Sequence, residues 1–372
     1  MYIALIVIMI TFSILTDGLF MSSRNISNLL DSAGYIAVLA VGVMLVIVIR
    51  HIDLSIGFLA GFLGAIAAIL LMNHGVPVYI VIPIILILGI CAGSITGFLV
   101  AKVGIPAFVA TLAGWLIYRG AILMATEKTG TIIVDNDAFN AIGNGYIPSI
   151  AEVGGLHLLS LLVGLVGILF YIYSAISNRR NKIKYDFDVV SRPIFVLQLL
   201  FVSTIIGYIT WLLAGYNGLS WTVVIILLVV FVYHFITTKT VLGRHIYAVG
   251  SNPEAAHLTG ISVSKITFIV FGSMGMLAAL SGILFTARLQ SATTTAGTLF
   301  ELDAIAAAFV GGVSAAGGVG KVTGAVIGAI VMATLTNGMN LMGVGIAPQY
   351  MIRGGILALA VIFDVMTRRQ RA

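Results

Sequence analysis

An all-α polytopic membrane protein, with about ten to twelve transmembrane helices, is the fold class this sequence predicts. The first observation is compositional: 60% of the 372 residues are hydrophobic, only 9% are charged and the mean hydropathy is +1.16. Soluble domains carry about 25% charged residues, so lipid must cover most of this surface. The second is that the apolar residues gather into runs of about the length a helix needs to cross a bilayer. The third is that the cations fall mainly at alternate ends of those runs. A dozen spans of about 20 residues would occupy about 240 positions, which excludes a large soluble domain.

Twelve runs separated by polar or Gly/Pro clusters qualify as spans. The first, Met1 to Phe20, has no basic segment and no small-residue cleavage site before Asp17, so it is expected to be retained as a span and not removed as a signal peptide. Ala33 to Ile49, Ser55 to Met72, Val76 to Val100 and Ile105 to Thr126 follow. Gly155 to Ile176, Pro193 to Leu213, Leu219 to Phe235 and Ile266 to Thr286 are the sixth to ninth, and Leu299 to Val313, Val322 to Asn337 and Ile346 to Val365 complete the set. The tenth is short. About 15 helical residues reach only about 22 Å, so it is expected to tilt into the bundle or to enter it only part of the way.

With a cytoplasmic N-terminus and every run spanning, fourteen of the nineteen Lys and Arg residues fall on the inner side, together with the C-terminus. Arg24, Arg119, Lys128, Arg288 and Arg353 make up the outer remainder. Such a bias is the one that orients polytopic proteins. The net charge of +6 is therefore a matter of topology, and nucleic acid is a poor partner. Residues 127–156 form an outer loop, read either as a docking surface or as a plain lid. Residues 177–192 form a basic cytoplasmic loop lying against anionic lipid. One cysteine, Cys91, excludes an intrachain disulfide and any cysteine metal cluster. The six histidines stand singly, whereas an enzyme site would gather them with acids or thiols.

Between the eighth and ninth runs lies the most informative stretch, the cytoplasmic loop 243–265, GRHIYAVGSNPEAAHLTGISVSK. Asn252 or Ser251 caps a short helix with Pro253 at its first position, Glu254 at its positive end and Gly260 at its close. Joined stiffly to two spans, it suits the transfer of force from a cytosolic partner; an ordinary connecting loop is the other reading. Gly89, Gly93 and Gly97 form consecutive GxxxG steps, and Gly324 with Gly328 another, for close helix packing within one chain or between two.

Gly243-Arg244-His245-Ile246-Tyr247-Ala248-Val249-Gly250, followed by Asn252-Pro253-Glu254-Ala255-Ala256-His257-Leu258-Thr259-Gly260-Ile261, resembles the cytoplasmic loop of the monosaccharide-importing ABC permeases of the ribose, xylose and arabinose/galactose group. His51-Ile52-Asp53-Leu54-Ser55-Ile56-Gly57 is similar to that family's "GIDLSVG", and Gly311 to Gly320 to its "GGTSLSGGRG". The likeness runs from about Ser22 to the C-terminus. Two departures stand out: His257 replaces a frequent Arg, and an extra pair of spans surrounds residues 177–192, which looks like the xylose or multiple-monosaccharide branch.

The resemblance implies a type II importer permease in the bacterial cytoplasmic membrane, working as a homodimer with two cytosolic ATP-binding subunits and an external sugar-binding protein. Ser251 to Gly260 would be the coupling helix, with Gly243, Arg244, Asn252, Pro253, Glu254, Ala255, Ala256 and Gly260 as the ATPase-coupling residues. ATP and Mg²⁺ would sit on the partner, and this chain would bind no cofactor. It contains no G-x-x-x-x-G-K-[ST]; at Gly320-Lys321-Val322-Thr323 a valine stands where the Mg²⁺-binding hydroxyl belongs and Ala315 replaces the first glycine. The glycines there suit a sharp turn between the tenth and eleventh runs.

A neutral sugar needs hydroxyl and amide partners with apolar or aromatic faces. On polarity within the spans, Asp53, Ser55, Thr111, Trp115, Asn337 and Asn340 are candidates for the translocation path. Asp53 has two readings, N-cap of the third span or lining of the inner vestibule, and Glu301 and Asp303 share that ambiguity. Importers of branched-chain amino acids, nucleosides or a signalling furanose use the same machinery and are the alternatives. An ion-coupled secondary transporter is disfavoured by the scarcity of ionisable groups within the runs.

Overall fold

The computed structural model describes residues 2–127, 130–149 and 151–369, without the side chains of residues 2, 3, 152, 153 and 367–369. Lys128, on the predicted outer side, and Arg371, on the inner, lie outside the described residues, as does Met1 of the first predicted span. The first helices are α1 (Tyr2–Leu15), α2 (Ser23–Val48), α3 (Ile56–Met72), α4 (Val78–Phe98, prolonged by a π turn at Leu99–Val103) and α5 (Ala107–Thr126). Next come β1 (Thr131–Ile133), α6 (Asp137–Asn144), β2 (Glu152–Val153), β3 (Leu156–His157), α7 (Leu158–Lys184), α8 (Arg192–Ala214) and α9 (Trp221–Lys239). The chain closes with α10 (Val241–Ser251), α11 (Pro253–Leu258), α12 (Val263–Leu289), β4 (Ser291–Thr293), α13 (Phe300–Val310), α14 (Val322–Leu341) and α15 (Ile346–Arg369). Among the described residues nine helices are long and apolar enough to cross a membrane: α2, α4 with its π turn, α5, α7, α8, α9, α12, α14 and α15. This is an all-α, multi-pass membrane chain.

Three further predicted spans fold as helices shorter than these nine. The first becomes the 14-residue α1, stopped where Asp17 and Gly18 take left-handed backbone (φ 51° and 83°). The third is the 17-residue α3. The tenth shrinks to the 11 residues of α13, about 16 Å long, entered through the left-handed Gly297 and Leu299 (φ 87° and 64°). Elsewhere helices are longer than their apolar runs. α2 starts at Ser23 and not Ala33, because Ile26, Leu29 and Ala33 already form a buried stripe at helical spacing. α7 likewise continues through Arg179, Arg180, Lys182 and Lys184, so only residues 185–191 of the predicted basic loop are non-helical. The predicted outer loop holds α6 and β1, which pairs antiparallel with β4 (Thr131 opposite Thr293).

By internal contacts the backbone divides into two compact units. The larger comprises residues 1–20, 29–145 and 221–372, and α12 is its axis, packed on α3 and α4. Lipid offers no hydrophobic drive for helices to associate, so close backbone approach and dispersion must do it. The glycine steps supply that approach inside the chain. A Cβ on Gly93 would strike the Phe271 carbonyl and the Gly275 backbone, and one on Gly275 would strike Gly89 and Gly93. Gly328 meets Ala307 in the same way, which seats α14 on the short α13. Polar contacts add to the packing: the Tyr233 and Ser273 hydroxyls lie 2.6 Å apart, and Ser281 Oγ donates to the Tyr35 carbonyl at 3.0 Å.

The smaller unit, residues 21–28 and 146–220, is chiefly the α7–α8 hairpin. Gly164 of α7 faces Thr210 of α8. His157 caps α7, its Nδ1 accepting from Ser160 N at 3.3 Å, while Ser160 Oγ accepts from Leu219 N at 2.8 Å. At the far end Arg179 lies over the Phe195 ring, 4.7 Å from its centre, and donates to the Val190 carbonyl at 2.6 Å.

Candidate functional site

The loop 243–265 folds as most of α10, all of α11 and the first residues of α12. Thr240 Oγ1 accepts from Gly243 N at 3.2 Å and starts α10, and buried Gly243 packs against the carbonyls of Ile236 and Thr237 at the end of α9. Of the two predicted caps it is Asn252 that serves: its Oδ1 accepts from Ala255 N at 3.0 Å, with Pro253 first in α11. Gly260 leaves the helix with φ 86°, a conformation that favours glycine. Ala256 is buried, whereas Arg244, Asn252, Glu254, Ala255 and Gly260 are exposed. Leu258, which polarity alone gave no reason to single out, is 87% exposed at the tip of α11.

Three segments distant in the chain are locked together beside α11. Arg50, just past the end of α2 and itself left-handed (φ 65°), donates from Nε to the Gly250 carbonyl at 2.7 Å and from Nη2 to the Ser251 carbonyl. Gly318 N donates to the Val48 carbonyl at 2.8 Å. Tyr247 Oη donates to the Gly320 carbonyl at 2.7 Å, and burial pushes this phenol above its ordinary pKa, keeping it a donor. There is no space for side chains here: a Cβ on Gly250 would meet the Val48 carbonyl and Gly318, and one on Gly317 would meet Arg50. The turn after α13, the end of α2 and the entry to α11 thus form one junction. Sequence reading passed over Arg50, although a lone cation ending an apolar run was the available signal.

From Arg50 the chain crosses a non-helical break to α3, and four of the six predicted path residues collect around it. Asp53 is not the N-cap of α3; that position is Ser55, and Asp53 Oδ1 accepts from Ser55 N at 2.9 Å and Ser55 Oγ at 2.6 Å, closing a tight turn. Thr111 Oγ1 points at the Ile52 carbonyl, 3.4 Å away. Trp115, one turn further along α5, donates from Nε1 to Glu301 Oε1 at 3.1 Å and packs edge-on against Phe58. Glu301 therefore belongs to this cluster. So does Arg119, which lies over Phe58 and donates to the Thr294 carbonyl at 2.6 Å. Asn337 and Asn340 do not join them; they line a separate cavity of about 170 Å³ between α2, α13, α14 and α15.

Beside α11 a cleft of about 730 Å³ opens between the turn joining α4 to α5 and the start of α12, with His51 and His257 on its walls. Among the described residues no group of three or more His, Cys, Asp or Glu is placed to hold a metal ion. What this arrangement can do is mechanical: an exposed short helix is tied by a guanidinium and by backbone contacts to a break in the bundle lined with hydroxyls, carboxylates and an indole.

Comparison with known proteins gives a consistent picture. The family described as branched-chain amino acid transport system / permease component matches residues 25–361. A xylose transport system permease protein of Haemophilus influenzae is 39% identical over 371 residues, 100% of this chain and 96% of its own length. The xylose transport system permease protein of Escherichia coli K12 is also 39% identical, over 99% of this chain and 91% of its own. A ribose import permease protein of Haemophilus influenzae is 33% identical over 98% and 91%. No solved structure matches the chain significantly.

Proposed function

The chain belongs to the family of branched-chain amino acid transport system / permease components, and from that premise we propose that it is the membrane subunit of an ATP-driven importer of monosaccharides, pentoses first among them. Similarity over full length to permeases named for xylose and ribose supports the sugar class. Two copies pair around a central path in the cytoplasmic membrane, with both termini in the cytosol. Two cytosolic subunits bind ATP and Mg²⁺, and an external binding protein delivers the sugar. The chain itself binds no nucleotide.

The observation that carries this reading is the junction of Arg50 with the Gly250 and Ser251 carbonyls, just ahead of the Asn252 cap of α11. α11 sits in a cleft of the ATP-binding subunit, with Leu258 buried in the contact and Glu254 at its rim. When ATP draws the two ATPases together, α11 moves as a rigid piece, because its base is pinned to the end of α2 and to the turn after α13. That displacement reaches Asp53, Ser55, Thr111 and Trp115 through the break that starts at Arg50. The path then opens outward to take sugar from the binding protein, and hydrolysis returns it to the inward state. Weak polar contacts along the path suit a solute that must be released.

Glu254→Lys tests the coupling assignment. Membrane insertion should be unchanged, while copurification of the ATP-binding subunit and ATP-dependent sugar uptake both fall more than tenfold. Normal uptake by this variant would refute the role given to α11. Uptake of leucine instead of a pentose by the wild-type complex would move the substrate to the amino-acid class.

A further inference from the structure

The second polar cluster, the one holding Asn337 and Asn340, has no part in the coupling path just described. Its mouth is at Ser32 and Asn340, both exposed. Ser32 lies sixteen residues back along α2 from Val48, about 24 Å at 1.5 Å per residue, so the cavity is entered from the end of the bundle remote from α11. Tyr35 and Thr336 stand on its walls, and the Tyr35 ring is held against Phe285 and Phe300 with centres 5.0 and 4.6 Å apart. Arg353 closes the inner end by donating from Nη1 to Asp303 Oδ2 at 3.2 Å. Its Nε is buried without a hydrogen-bond partner among the described residues. Beyond this pair is another cavity, of about 150 Å³, walled by apolar residues of α13 and α15, and both cavities share Asp303, Met332 and Arg353.

The chemistry of the walls selects a class of ligand. Asp303 and Arg353 carry opposite charges, so the cavity has no net charge with which to hold a lone ion. It does offer donors and acceptors on several sides: a guanidinium, a carboxylate, three hydroxyls and two amides, of which Asn340 also accepts from Gln349. An aromatic ring faces the same space. A neutral solute bearing hydroxyls around a small ring matches donors, acceptors and ring together. The larger cavity, of about 170 Å³, is on the scale of one small ring-shaped solute.

We propose that this cavity is a transient site for a neutral polyhydroxylated solute at the end of the bundle remote from the coupling helix, and that the Asp303–Arg353 pair with Met332 is the gate at its inner end. The proposal rests on the chain being the membrane subunit of a sugar importer. Parting the pair joins the two cavities past Met332, and hydroxyls of the solute replace each charged group's lost partner, which makes opening dependent on the solute. Leucine's zwitterionic head can meet the pair, but its apolar tail leaves the wall amides and hydroxyls unanswered.

The test has two arms on the complete importer in proteoliposomes. In a Cys91→Ala background, Thr336→Cys is labelled with a maleimide that does not cross membranes, alone, with 50 mM xylose and with 50 mM leucine. The expected result is labelling slowed at least threefold by xylose and unchanged by leucine; no slowing by xylose, or equal slowing by both, overturns the site. In the second arm Asp303→Asn with Arg353→Gln removes the pair without leaving a lone charge. Xylose uptake should fall at least tenfold while ATPase activity stimulated by the binding protein stays within twofold of wild type. Unchanged uptake, or loss of both activities together, overturns the gate. A wild-type complex that takes up no sugar at all would defeat the importer reading, and protection from labelling would still decide the cavity.

Discussion

The junction around Arg50 and the α7–α8 hairpin both join apolar helices to a basic segment, and they are built by different rules. In the hairpin, contact between helices is carried by a few small residues such as Gly164 against Thr210, and long rows of apolar side chains, Val166, Phe170, Leu197 and Phe201 among them, stand exposed. In the junction, backbone meets backbone: Val48 with Gly318, Gly250 with both, and one arginine spans the remaining gap. Lipid accepts many side chains on a helix surface but none can be added where two main chains touch. The difference teaches where this molecule tolerates change and where it does not.

Substitutions ranked by effect put that contrast at risk. Gly250→Val places carbon on the Val48 carbonyl and Gly318, and is expected to cost about 3 kcal/mol, the upper end for overpacking. It should abolish uptake and lower the melting temperature of the purified complex; a wild-type melting curve would show that the junction yields and is not rigid. Arg50→Ala removes two charge-assisted bonds worth about 2 kcal/mol together in a partly exposed setting. Sugar uptake should drop about tenfold while ATPase activity without binding protein persists, and Arg50→Lys should restore only part of it, because an ammonium cannot reach two successive carbonyls in the fork geometry of a guanidinium. Full coupling in Arg50→Ala would detach the junction from the mechanism. Phe201→Leu, on the exposed face of α8, is expected to change stability by no more than about 0.5 kcal/mol and to leave uptake unaltered. A severe loss there would mean that this face is covered by protein and not by lipid.

Much of this was legible in one dimension because a bilayer imposes a length and a polarity on every crossing. The runs that became α4, α5, α9 and α12 could be bounded from hydropathy, and Asn252, Pro253 and Gly260 announced α11 by their helix-end chemistry. Hydropathy failed where polarity and helicity part company. The polar start of α2 and the basic end of α7 are helical because neighbouring apolar residues at helical spacing, or continuing main-chain bonds, outweigh their solubility. Of the predicted path residues, Asp53, Ser55, Thr111 and Trp115 do converge, since two lie at one break and two on one stretch of α5. Asn337 and Asn340 looked equivalent to them by polarity and lie elsewhere, on a helix that faces α13 and α15.

Composition and the order of its motifs were enough to make this an all-helical membrane chain with a short helix set between two spans, because those properties depend on each residue's own solvation and on neighbours within a turn. Pairings across the fold needed three dimensions: Arg50 with residues two hundred positions later, Trp115 with Glu301, Asp303 with Arg353. Each joins segments that carry no mutual signal in the chain, and each partner is chosen by which helices small residues allow to approach. The scarcity of charge was visible at once; which of the few charges pair with distant residues follows only from packing.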